Sequence, residues 1–126
     1  MLQILFAGRD LASLPAFKIA IEESNGQVTC LESGQQVLSA VSEKKFDLLV
    51  ADETLEDMSG LELIESVIMS QPMLNCAAVS SLTKEDYHKA SEGLGILMQL
   101  PCVPAREAAD ALMKHLKKIL SFKVGS

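Results

Sequence analysis

Asp52 ends a short run, Leu48-Leu49-Val50-Ala51, whose residues suit a strand covered on both faces. A carboxylate at the carboxyl end of a central parallel strand stands where open α/β sheets place their chemistry. Other polar or special residues stand at the ends of other strand-like runs: Gly8 and Arg9 after Leu2 to Ala7, Ser80 and Ser81 at the end of Leu74 to Ser80, and Leu100-Pro101 at the end of Ile96 to Leu100. If those runs lie side by side, a carboxylate, a guanidinium and two hydroxyls share one crevice. Arg9 can then pair with Asp52, bidentately if the fork meets both oxygens. Ser80 either caps its own loop or donates to an anion, and Asp52 can equally stand as a solvated loop-capping residue. Glu53, Glu56 and Asp57 come next and read as a solvated acidic loop that crowds negative charge near Asp52. His88, on the exposed start of a helix, and His115, near an apolar stripe and read as partly buried and structural, add no base to this crevice.

Elements of two kinds must position these residues, and the chain alternates them. Leu2 to Ala7, Gln27 to Leu31, the run before Asp52, Leu74 to Ser80, and Ile96 to Leu100 read as strands. Between them lie helical patterns. Leu14, Phe17 and Ile21 mark the first, with Pro15 in its first turn and Asn25-Gly26 at its end. Val37, Leu38 and Val41 follow Ser33-Gly34 in the second. Leu61, Ile64, Val67 and Ile68 follow Ser59-Gly60 in the third, which Gln71-Pro72 closes. Thr83 caps a fourth, with Tyr87, Ala90 and Leu94 as a core stripe. The last runs from Pro104 to about Ser121, with Ala108, Leu112, Leu116 and Ile119 inward and acidic residues early, lysines late. Strict alternation argues for a parallel sheet with helices on both faces, and the order 2-1-3-4-5 is the common solution at this size.

Composition excludes several classes. The chain has 126 residues, enough for one domain with its own core, and 48% of them are hydrophobic but only 4% aromatic, which fits an aliphatic interior. A net charge of −6 argues against nucleic-acid binding. Cys30, Cys76 and Cys102 form no metal-binding spacing and read as reduced thiols. No apolar run reaches the ~18 residues that span a bilayer. No GxGxxG or P-loop lysine follows the first strand, which leaves a nucleotide-binding or enzymatic αβα domain as a distant alternative. The expectation is a cytoplasmic domain over 1–121, with 122–126 as a tail or linker stump.

From about Leu2 to Leu120 the chain resembles the receiver domain of bacterial two-component response regulators. The spacing from Gln27 through Gly60 matches without gaps, including Asp47 to Asp52 and Met58-Ser59-Gly60, and Ser80 and Pro101 fall on the family's Ser/Thr and proline positions. The resemblance implies a flavodoxin-like doubly wound sheet of five strands and a phosphorelay switch, not an enzyme. It implies that a histidine kinase donates a phosphoryl group to Asp52, that an acidic pair after the first strand holds Mg²⁺, and that a lysine and the Ser80 hydroxyl bind the phosphate. This sequence departs from the pattern at Gly8 and Arg9, which replace the acidic pair, at Leu100, which replaces the lysine, and at Leu97, which replaces a signalling aromatic. Asp10 falls one place late for the second acidic ligand.

Those departures point to a degenerate, pseudo-receiver-like domain that uses no cofactor and acts by protein–protein interaction. Mg²⁺ is expected only in the alternative, a conventional receiver switched at Asp52 by a histidine kinase. The expected partner is a histidine kinase or an output protein or domain, with no nucleic acid and no membrane. A weak homodimer is expected on the face of the fourth helix, fifth strand and fifth helix, rimmed by Lys84, Lys89, Arg106 and Asp110.

Overall fold

The computed structural model describes residues 2–8, 15–100 and 106–125. Strands and helices alternate as β1 (Leu2–Ala7), α1 (Pro15–Glu23), β2 (Gly26–Leu31), α2 (Gly34–Glu43), β3 (Leu48–Ala51), α3 (Gly60–Ser70), β4 (Asn75–Val79), α4 (Lys84–Ala90), β5 (Gln99–Leu100) and α5 (Arg106–Gly125). The five strands pair in parallel in the order β2-β1-β3-β4-β5, the doubly wound topology expected from the alternation. Arg9, Asp10, Leu14, Pro101, Cys102 and Pro104, all of which figure in the expectations above, lie outside the described residues.

Two-residue alternation along each strand sends side chains to two cores. Ile4, Phe6, Leu48, Val50, Ala77, Val79 and Leu100 meet Phe17 and Ile21 of α1 and Leu112, Met113 and Leu116 of α5. Leu5, Ala7, Leu49, Ala51, Cys76 and Ala78 meet α2, α3 and Tyr87 of α4 on the other face. Leu48, Leu49, Val50 and Ala51 are all 0% exposed, as a central parallel strand requires. Burying each of the three larger side chains contributes about 1.5–3 kcal/mol.

Local chemistry sets the element ends. Asn25 adopts φ 70 between α1 and β2, a left-handed turn that asparagine tolerates. Ser33 and Ser59 cap α2 and α3 in reciprocal boxes with Gln36 and Glu62, satisfying backbone N–H groups that a helix start leaves bare. Thr83 caps α4, accepting from Asp86 N–H.

Five local expectations need correction. β5 is only Gln99–Leu100, not Ile96 to Leu100, because Gly93 (φ 83) and Gly95 (φ 64) turn the chain through left-handed conformations just before it. α4 ends at Ala90, so the expected core stripe survives only at Tyr87, buried, and Leu94, half-buried, while Ala90 is exposed. The buried stripe of α5 is Ala109, Leu112, Met113 and Leu116, rotated from the expected one, with Ala108 and Ile119 on its half-buried flanks. His115, ~100° round the helix from Leu116, is therefore exposed rather than partly buried. α5 itself continues past Ser121 to Gly125.

Candidate functional site

Register along the sheet assembles the crevice. Ala7 pairs with Ala51, Ala51 with Ala78, and Val79 with Leu100, so Gly8, Asp52, Ser80 and the end of β5 emerge together at the carboxyl edge. The Asp52 N–H donates to the Ala7 carbonyl at 2.8 Å, extending the β1–β3 ladder by one residue. Its Oδ1 accepts the Glu53 N–H at 2.7 Å, which fixes the half-buried carboxylate at the mouth of the loop. Gly60 backs this arrangement. A Cβ at Gly60 would collide with the Asp52 carbonyl oxygen, so the start of α3 lies directly against the backbone of Asp52.

Gly8 is as tightly placed. Its N–H donates to the Leu31 carbonyl at 2.9 Å. A Cβ there would lie 2.6 Å from Cε1 of Phe6 and 3.1 Å from Cβ of Asp52. The position that resembles the first metal ligand thus adjoins Asp52 yet holds neither a donor nor room for one without moving Phe6. Leu100 is 0% exposed and packs into the α1–α5 core, and Leu97 is half-buried against the same cluster. Mg²⁺ takes a near-octahedral shell of oxygens, usually anchored by carboxylates. Among the described residues no group of three or more His, Cys, Asp and Glu side chains is placed to hold a metal ion. Among the described residues the side chains at these positions, Gly8 and Leu100, offer magnesium no donor, and Arg9 and Asp10 lie outside them.

The acidic loop after β3 is solvated as expected, with Glu56 and Asp57 exposed and Glu53 half-exposed, yet two of its carboxylates are tied to other loops. Glu53 reaches across to the β4–α4 loop, where its carboxylate accepts the Ser81 N–H at 2.6 Å and the Ser81 hydroxyl at 2.9 and 3.0 Å. The backbone N–H of Ser81, then its hydroxyl and more weakly that of Ser80, hold the Glu53 carboxyl below its ordinary pKa. Asp57 reaches the other way, accepting the N–H groups of Gly34 and Gln35 at the start of α2, and the Gly34 donor lowers its pKa. Met58 lies so close to Gly34 that a Cβ there would strike its sulfur. Glu56, exposed like Asp57, has no such role among the described residues. Both staples escape sequence reasoning, since each partner lies more than twenty residues away in another loop.

Ser80 is buried, at 8% exposure, and its hydroxyl oxygen accepts the Leu82 N–H at 3.2 Å. Its N–H donates to the Leu100 carbonyl at 3.0 Å. Gln99, on β5, donates its side-chain amide to the carbonyls of Ser80 at 3.4 Å and Leu82 at 2.9 Å. An open groove of about 540 Å³ runs between α4 and β5, lined by Lys84, Tyr87, His88, Glu92, Ile96 and Gln99 among others. Tyr87 has a buried hydroxyl with no hydrogen-bond partner among the described residues, and burial pushes its phenol up to about 12. The charges expected to rim this face are partly spent within the chain. Arg106 pairs with Glu23 of α1 and, at 3.8 Å, with Asp110, and Lys89 pairs with Glu85 at 3.7 Å.

Cys76 is buried, and its thiol is pushed up to about 12 by that burial, which suits an inert core residue. Among the described residues no helix is long and apolar enough to cross a membrane.

This geometry is shared with known structures. The chain superposes on the receiver domain protein (CheY-like) from Methanospirillum hungatei JF-1 with a TM-score of 0.80 at 21% identity, covering 100% of this chain and 99% of that one. The chemotaxis response regulator CheY4 of Vibrio cholerae gives a TM-score of 0.79 at 15% identity over 92% and 98% of the two chains. A two-component response regulator from Clostridium difficile gives 0.81 at 15% identity over 95% and 98%. Identities this low speak for the fold alone. No curated protein matches the sequence at a significant level. The family model of the response regulator receiver domain, however, matches residues 9–101, which hold Asp52, Ser80 and strands β2 to β5, while β1 and Gly8 precede the matched range. The chain belongs to the response regulator receiver domain family.

Proposed function

We propose that this receiver domain works as a protein-interaction module in two-component signalling without magnesium-dependent phosphoryl transfer to Asp52. The observation that carries this reading is Gly8, packed beside Asp52 where a first metal ligand would stand, with Phe6 filling the space a side chain would need. Leu100, buried among aliphatic side chains, supplies no cation for a phosphate. A metaphosphate-like transition state needs positive charge around its oxygens, and Gly8 offers no carboxylate to hold a metal while Leu100 offers no ammonium. Arg9 lies outside the described residues. In this reading its guanidinium takes the metal's place and pairs with Asp52.

The partner on this reading is a histidine kinase or an output protein or domain in the cytoplasm, met by the receiver unit over 1–121. A weak homodimer through the α4–β5–α5 face belongs to the same proposal. The retained Asp52 and the buried Ser80 favour the conventional phospho-accepting switch as the second reading. Titration with Mg²⁺ followed by NMR separates them. The amides of Gly8, Asp52 and Glu53 should stay in place through millimolar Mg²⁺. A saturable shift at those amides would support the conventional switch instead.

A further inference from the structure

We propose that Glu53 is a latch that sets the conformation of the β4–α4 loop, and through it the groove between α4 and β5, from within the chain. The proposal rests on the reading above only in taking the α4 face as a contact surface. The loop between Val79 and Lys84 is held from two sides. Glu53 holds Ser81 by its backbone N–H and its hydroxyl, across 28 residues of sequence. Gln99 holds the carbonyls of Ser80 and Leu82 from β5, and Ser80 holds the Leu82 N–H.

The loop leads straight into Thr83, whose side chain caps α4. α4 is a seven-residue helix, too short to hold its own position by intrinsic helix stability. Its place therefore depends on the burial of Tyr87 and on the loop that carries its cap. Gln99 links the two ends of the device, because the side chain that clamps the loop also lines the groove. An ionised carboxylate accepting a backbone N–H makes a stronger bond than a neutral pair, so Glu53 dominates the loop's attachment to the β3 side. The Glu53 carboxylate makes the latch, and the Glu53 N–H donates to Oδ1 of Asp52 at 2.7 Å, so the residue that holds the loop is itself anchored beside Asp52.

Amide hydrogen exchange and NMR shifts of the full chain test this, in buffer without Mg²⁺ or phosphodonor so that the result bears on the latch alone. In Glu53→Ala the Ser81 amide should exchange about tenfold faster or more, as expected for loss of a charge-assisted bond. The Gly34 and Gln35 amides, held by Asp57, should keep their parent rates and so report an intact fold. Tyr87, His88 and Ile96 should shift in Glu53→Ala and, more weakly, in Glu53→Gln and Ser81→Ala, but not in Glu56→Ala. Ser81 exchange within about twofold of the parent in Glu53→Ala and Glu53→Gln would overturn the latch. So would faster Ser81 exchange with α4 and Ile96 signals left in place.

Discussion

Asp57 closes the amino end of a helix to which it does not belong, its two carboxylate oxygens accepting the N–H groups of Gly34 at 2.8 Å and Gln35 at 3.0 Å. Bare N–H groups at a helix start carry partial positive charge, and an anion placed there is stabilising. Asp57→Ala should therefore lower the melting temperature and speed exchange of the Gly34 and Gln35 amides while leaving the Ser81 amide as it was. Unchanged exchange at Gly34 and Gln35 would show that Ser33 and Gln36 cap α2 without help.

The pH dependence follows from both staples. Hydrogen bonds hold Glu53 and Asp57 below their ordinary pKa values of 4.5 and 3.8. A depressed folded pKa contributes stability that is fully present above the unfolded value and is lost as pH falls through the folded one. Melting temperature should thus decline from about pH 4.5 downward, and less steeply in Glu53→Gln/Asp57→Asn than in the parent. Parallel curves for the two proteins across the acid range would contradict the assignment.

Gly60 abuts the carbonyl of Asp52 so closely that no Cβ fits. Gly60→Ala should destabilise the domain by about 1–3 kcal/mol, the usual cost of overpacking, because the obstacle is backbone and cannot rotate away. Urea unfolding gives the figure. A variant as stable as the parent would mean that α3 slides freely past the end of β3.

Val50 is fully buried on the central strand. Val50→Asp should cost at least ~3 kcal/mol and abolish the cooperative melt, since it places an unpaired carboxylate between two apolar layers. A melt near the parent's would be incompatible with the strand.

The fold was legible wherever periodicity carried it. Leu48 to Ala51 reads as a fully buried strand and is one, and Ser59 opens α3 as its position before an amphipathic run suggests. The misses have physical causes. Ile96-Leu97-Met98 looks like a strand, yet two left-handed glycines just upstream delay pairing until Gln99. By spacing His115 lies near the apolar stripe, but the buried stripe runs through Ala109 and Met113, because a helix face can be rotated by tens of degrees with little change in its hydrophobic spacing. At the site, Asp52, Ser80, Gly8 and Leu100 could be placed by strand ends alone. Glu53 and Asp57 could not, because their partners Ser81 and Gly34 lie in other loops and no local pattern links them.

On the proposed function Asp52 accepts no phosphoryl group by the magnesium-dependent route, and the intact mass of the full chain after incubation with millimolar Mg²⁺ and acetyl phosphate shows whether it does. The mass should be unchanged from that of the untreated protein, with the same result for Asp52→Asn. A single added phosphoryl group that appears in the parent and is absent from Asp52→Asn would contradict it.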